Sequence, residues 1–151
     1  MPSPSLPATV DASELAGRLR LSVTRLARQL RQTADTDLSP TQGAVLATIS
    51  NHGPLTLGEL AERERVAGPT ITKVIGVLHA RDLVSKTTDP DDRRYVHVEL
   101  TATGAALVER SRARKNAWLA RRLRELPPDD IERLAAVTDL LERLTGTTEV
   151  P

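Results

Sequence analysis

The chain has 151 residues, 39% hydrophobic and 27% charged, enough for one compact domain around an aliphatic core. It has no cysteine, which excludes disulfides, thiolate metal sites, cysteine nucleophiles and thiol redox sensing. Its only aromatic residues, Tyr95 and Trp118, are too few for the stacking platforms of single-strand or RNA binders, and a net charge of +1 means that any nucleic-acid site must rest on local placement of cations.

Residues 1–10, with Pro2, Pro4 and Pro7 among serines, read as a loose tail without the basic and apolar regions of a signal peptide. No apolar run approaches the roughly 18 residues of a membrane span, so a soluble cytoplasmic protein is expected, without a membrane partner. From Asp11, with Glu14 three residues on, Leu15, Leu19, Val23, Leu26 and Leu30 recur at helical spacing and predict a long first helix.

Ser39-Pro40-Thr41-Gln42 is a helix start, because the serine cap, the proline at the first helical position and the glutamine three after the cap each satisfy or remove an orphan amide. The helix it opens should close at Asn51-His52-Gly53-Pro54, with glycine free to take a left-handed cap. Thr56-Leu57-Gly58-Glu59 is a second capping box opening a short helix, and Ala67-Gly68-Pro69 opens another that runs to about Arg81. Two short helices joined by a tight turn are the pattern of a helix-turn-helix.

The period then becomes two. Val84–Thr88 and Tyr95–Leu100 read as strands, with Val96, Val98 and Leu100 on one face, joined by the polar loop Asp89-Pro90-Asp91-Asp92-Arg93-Arg94. A helix-turn-helix followed by a charged hairpin is the winged variant. Thr101-Ala102-Thr103-Gly104 caps a second long helix to about Glu125, and Pro127-Pro128-Asp129-Asp130 starts a last one striped by Ile131, Leu134, Val137, Leu141 and Leu144. The outer helical stripes call for burial that a second chain would supply, so a homodimer is expected, against packing on the chain's own core.

The fold class expected is mainly α (α+β). A winged helix-turn-helix DNA-binding core spans residues 39–100, and helical dimerisation regions over 11–38 and 101–147 flank it. Lys and Arg outnumber Asp and Glu by 7 to 2 over residues 101–126, and the balance reverses to 2 against 6 over 127–151. The basic run Arg110, Arg112, Arg114, Lys115, Arg121 and Arg122 is therefore expected to pair with the acidic last helix across a dimer, rather than to draw in DNA.

On the helix Pro69–Arg81, Ile71, Val74, Ile75 and Leu78 fall on one side; Pro69, Thr72, Lys73, Gly76 and Val77 fall opposite, with Thr70 at the flank. That outward face suits a major groove: hydroxyls reach phosphates or base edges, Lys73 reaches phosphate or guanine, and Val77 meets a thymine methyl. In the hairpin loop Arg93 and Arg94 suit a narrow minor groove, with Asp92 placed to hold Arg94 by a carboxylate–guanidinium fork. An ordinary surface helix and a solvated charged turn are the competing readings, and the adjacency of the two elements favours the functional one.

No nucleophile–base pair, phosphate-binding glycine loop or metal cluster stands out, and His52, His79 and His97 lie in three different elements. No enzyme, metal or cofactor is expected.

The run from Leu38-Ser39-Pro40 through Leu57-Gly58-Glu59-Leu60-Ala61, Pro69-Thr70-Ile71-Thr72, Asp89-Pro90-Asp91-Asp92-Arg93-Arg94 and Leu100-Thr101-Ala102-Thr103-Gly104 resembles the MarR family of multiple-antibiotic-resistance-type regulators. The resemblance implies a dimeric winged-helix transcription factor, usually a repressor, on a pseudo-palindromic double-stranded site. Carried over, Pro69, Thr70, Thr72 and Lys73 become recognition-helix contacts, Arg93 and Arg94 wing contacts, and Asp92 their orienter. Ser39, Pro40 and Gln42 match the family's helix start near DNA phosphates. Gly68 replaces a larger polar residue, and Asp82 replaces the usual glycine before Leu83, a turn that aspartate tolerates. Gly76 costs the recognition helix about 1 kcal/mol of propensity.

The resemblance also implies release by a small organic effector, aromatic or anionic, for which Arg18, Arg20 and Arg25 would supply a cation and Trp118 a flat wall. The other class of function compatible with the sequence is a winged-helix module for protein–protein contact or nonspecific DNA architecture, without ligand control.

Overall fold

The computed structural model describes residues 10–34 and 36–146. The tail expected over residues 1–10 lies, apart from Val10, outside them, as does Thr147 at the expected limit of the last helical region. Helix α1 (Ala12–Thr33) is followed by α2 (Pro40–His52), β1 (Leu55–Thr56), α3 (Leu57–Glu64), α4 (Gly68–Ala80), β2 (Val84–Thr88), β3 (Val96–Leu100), α5 (Ala102–Arg124) and α6 (Pro128–Thr145). The architecture is the mainly helical winged helix-turn-helix that the chain predicts.

Both capping boxes form. Ser39 Oγ accepts from the Gln42 N–H at 3.1 Å while Gln42 Oε1 accepts from the Ser39 N–H at 3.0 Å, and Thr56 and Glu59 reciprocate at 3.2 and 2.8 Å. At α1 the Asp11 carboxylate accepts from Ser13 rather than closing a box with Glu14. The left-handed cap expected at Gly53 does not form. Gly53 is extended (φ −69°, ψ 163°), and glycine is required there because a Cβ would stand 2.6 Å from the Ile49 carbonyl oxygen. The left-handed positions other than glycine fall on Arg65 (φ 54°), which ends α3, and on Asp82 (φ 57°), as the turn before Leu83 requires; Gly146 (φ 69°) takes that conformation at the end of α6.

The sheet is antiparallel in the order β1-β3-β2, with Val84 opposite Leu100 and Thr88 opposite Val96. The third strand, β1, has no signature in the sequence: two residues carry no period, and only their pairing with β3, Leu55 opposite Val98 and Thr56 opposite His97, defines it. The core is aliphatic and lies within residues 45–98, where Val45, Leu46, Ile49, Leu60, Ile71, Ile75, Leu78, Val84 and Val98 are essentially inaccessible. At roughly 1.5–3 kcal/mol for each large side chain removed from water, this cluster holds α2, α3 and α4 against the sheet.

The outer helices are different. No residue of α1 or α6 is buried; α1 packs along α5, while every residue of α6 except Asp130 is exposed, including Leu134, Leu140, Leu141 and Leu144.

Candidate nucleic-acid interface

Helix α4 inserts Ile71, Ile75 and Leu78 into the core, which turns Pro69, Thr70, Thr72, Lys73, Gly76 and Val77 outward, all exposed. The period of 3.6 leaves no other solution once one face is buried. Thr72 Oγ1 donates to the Gly68 carbonyl at 3.1 Å, so its lone pairs are what it offers outward. A Cβ at Gly76 would meet nothing within 4 Å, so the chain's own packing does not demand glycine there. Lys73 has no ion-pair partner among the described residues.

The far end of α4 is clamped. Arg81 Nη2 donates to Asp37 Oδ1 at 2.7 Å, tying that end to the segment between α1 and α2; this holds the Asp37 carboxyl below the usual carboxylate range. Thr101 Oγ1 accepts from the Gly104 N–H at 3.0 Å and donates to the Asp82 carbonyl at 2.6 Å, while the Thr101 N–H donates to the Leu83 carbonyl at 3.2 Å. The first turn of α5 is thereby bonded to the turn that ends α4.

In the wing, the fork forms. Arg94 Nε donates to Asp92 Oδ1 at 2.9 Å and Nη2 to Oδ2 at 2.7 Å, and the Arg94 backbone N–H donates to Oδ1 at 3.1 Å. Chiefly through the guanidinium, these bonds lower the Asp92 pKa and raise that of Arg94. Arg93 is exposed and carries no ion pair among the described residues. Three residues not singled out from the sequence complete the wing: Asp89 and His97, whose side chains lie 3.0 Å apart, and Tyr95, which is 51% exposed with the Arg94 guanidinium 6.0 Å from its ring centre. An isolated tyrosine or histidine in a strand has no periodic signature, and only the hairpin register brings these groups together.

Ser39 and Gln42 spend their capping atoms on each other. Ser39 and Pro40 also line a cavity of about 400 Å³ between the end of α1, α2 and α5. Its walls include Leu38, Ala47, Leu107 and Val108, with Arg31, Arg112 and Lys115 as cations. None of Arg18, Arg20, Arg25 and Trp118 lines it. Arg20 projects roughly 140–160° around α1 from Arg18 and Arg25, so the three do not converge. Trp118 instead carries the Arg122 guanidinium 5.4 Å from its ring. Within the chain, Arg112 of the basic run pairs with Glu109 and Arg122 with Glu125 at the end of α5, and Arg114 donates to the Ala34 carbonyl.

A family model described as the MarR family matches residues 38–96. The chain is 39% identical over 133 residues to the uncharacterized HTH-type transcriptional regulator ML2140 of Mycobacterium leprae, spanning 87% of this chain and 93% of that protein. It is 29% identical over 144 residues to the HTH-type transcriptional repressor MdtR of Bacillus subtilis, spanning 92% and 93%. A solved transcriptional regulator from Pseudomonas aeruginosa superposes with a TM-score of 0.81 at 32% identity, over 91% of this chain and 97% of that one.

Proposed function

The chain belongs to the MarR family of transcriptional regulators and is not an enzyme, and we propose that it is a homodimeric repressor that binds a pseudo-palindromic double-stranded operator. The observation that carries this reading is the Asp92–Arg94 fork, at the tip of a hairpin that follows directly on an exposed, short-chained helix face. A guanidinium already fixed in direction loses less entropy on entering a minor groove. On this reading residues 39–100 read DNA, while 11–38 and 101–147 pair the chains. The exposed apolar stripe of α6 supports that division, and the family membership agrees with a cytoplasmic site of action. Two recognition helices related by a two-fold axis would reach half-sites about one helical turn apart.

The cavity between α1, α2 and α5 is the seat we assign to an aromatic or anionic effector, because aliphatic walls with Arg112 and Lys115 suit an apolar anion. Its occupation would shift the dimer towards a spacing that misses one helical turn.

Binding to a panel of genomic promoter fragments across a salt series tests the proposal. A preference of about a thousandfold or more for one fragment over bulk DNA is expected. A flat response across sequences would replace the operator reading with nonspecific DNA architecture.

A further inference from the structure

The wing contains a second set of bonds behind the fork. The Asp89 N–H donates to the Tyr95 carbonyl at 2.9 Å and the Tyr95 N–H to the Asp92 carbonyl at 3.1 Å, closing the loop. Asp89 Oδ1 accepts the N–H groups of Asp91 at 2.8 Å and Asp92 at 3.2 Å. Its other oxygen, Oδ2, lies 3.0 Å from His97 Nε2.

The direction of that last bond follows from chemistry. The His97 hydrogen bond first, and the Asp91 and Asp92 amides after it, hold the Asp89 carboxyl below the usual carboxylate range, and an ionised carboxylate only accepts. His97 Nε2 therefore carries the proton and donates. His97 sits on β3 between Thr87 of β2 and Thr56 of β1, on the face opposite Val98, so its ring is anchored by the sheet rather than by the loop. One carboxylate thus joins the rigid sheet to the backbone amide of Asp92, the residue that aims Arg94.

We propose that His97 is a positioning residue of the wing: its Nε2–H latches Asp89, which fixes the turn that presents Asp92, and so orients Arg94 without itself touching DNA. This rests on the wing's role in DNA binding proposed above. A loop with three aspartates and two arginines can pair in several ways; the latch leaves one of them, with Arg94 rather than Arg93 in the fork.

The test uses the full chain and a duplex of about 30 base pairs, roughly three helical turns, selected by the unmodified protein from a randomised library. His97→Leu removes the donor at a half-exposed position and leaves the core intact; His97→Gln keeps a terminal N–H. We expect H97L to weaken binding about tenfold, H97Q by less than about threefold, and H97L to add no further loss in an Arg94→Ala background. A purely structural role for His97 would give losses that multiply with R94A and no rescue by glutamine, and either result overturns the latch.

A second readout needs no DNA. In the protein alone, water exchange of the Arg94 Nε–H should be at least about fivefold slower in the unmodified chain and H97Q than in H97L. Equal rates overturn the latch whatever the DNA result, whereas slow exchange in a protein that selects no duplex would keep the latch and overturn the DNA reading.

Discussion

The α-carbon of Gly104 stands so close to Leu83 that a Cβ on it would lie 2.0 Å from the Leu83 carbonyl oxygen. Together with the Thr101 hydroxyl on the Asp82 carbonyl, this contact explains why a Leu-Thr-x-x-Gly sequence follows the wing: α5 can start only where its first turn is bare. Gly104→Ala is therefore expected to push the turn at Asp82–Leu83 away from α5. The cost should be about 1–3 kcal/mol, read as a lowered urea midpoint with unchanged slope. Unchanged stability would mean that α5 and α4 are less tightly joined than the contact implies.

Gly76 is the converse. Nothing lies where its Cβ would be, and it sits mid-helix on the outward face of α4. Gly76→Ala should stabilise the fold by up to about 1 kcal/mol through helix propensity alone. If that face approaches a major groove, the same substitution should weaken binding to the selected duplex. Tighter or equal binding would remove Gly76 and Val77 from the contact surface.

Removing the wing arginine should act on DNA and not on the fold, since Arg94 is exposed and bonded only within the hairpin. Arg94→Ala is expected to weaken binding by about 2 kcal/mol, roughly thirtyfold, and to lower the salt dependence by about one ion. Assembly state should not move, and thermal stability should fall only by the small contribution of one exposed ion pair. An affinity equal to that of the unmodified chain would show that the wing does not reach DNA.

The Asp37 and Asp92 carboxyls are both depressed in the folded chain, by Arg81 and Arg94 respectively. A carboxylate that binds fewer protons folded than unfolded contributes stability above its ordinary value of 3.8, and that contribution is lost as pH falls through the depressed folded value. Both contacts should thus persist across neutral pH and fail only in acid. Carboxyl carbon NMR titration should give both groups midpoints below 3.8. A midpoint at or above that value for Asp92 would mean that the fork is open in solution.

The apolar stripe of α6 sets the expectation for assembly. Sedimentation should give twice the chain mass of 16.4 kDa, and Leu134→Asp combined with Leu141→Asp should return it to one chain mass without unfolding the core, because neither side chain is buried. A single-chain mass for the unmodified protein at micromolar concentration would refute pairing through the outer helices.

Local physics made much of this protein legible before its tertiary structure. The capping boxes at Ser39 and Thr56 act within four residues. The outward face of α4 follows from one helical period, and the Asp92–Arg94 fork joins residues two apart. What needed the folded chain were the relationships between residues distant in sequence: the two-residue strand β1 on β3, Arg81 on Asp37, Gly104 against Leu83, and the cavity between α1, α2 and α5. The wing divides along the same line. Periodicity and charge determine that a charged hairpin follows α4, because they depend on neighbours along the chain. Strand register alone decides that His97 meets Asp89, because a histidine finds its partner only once two strands have chosen how to align.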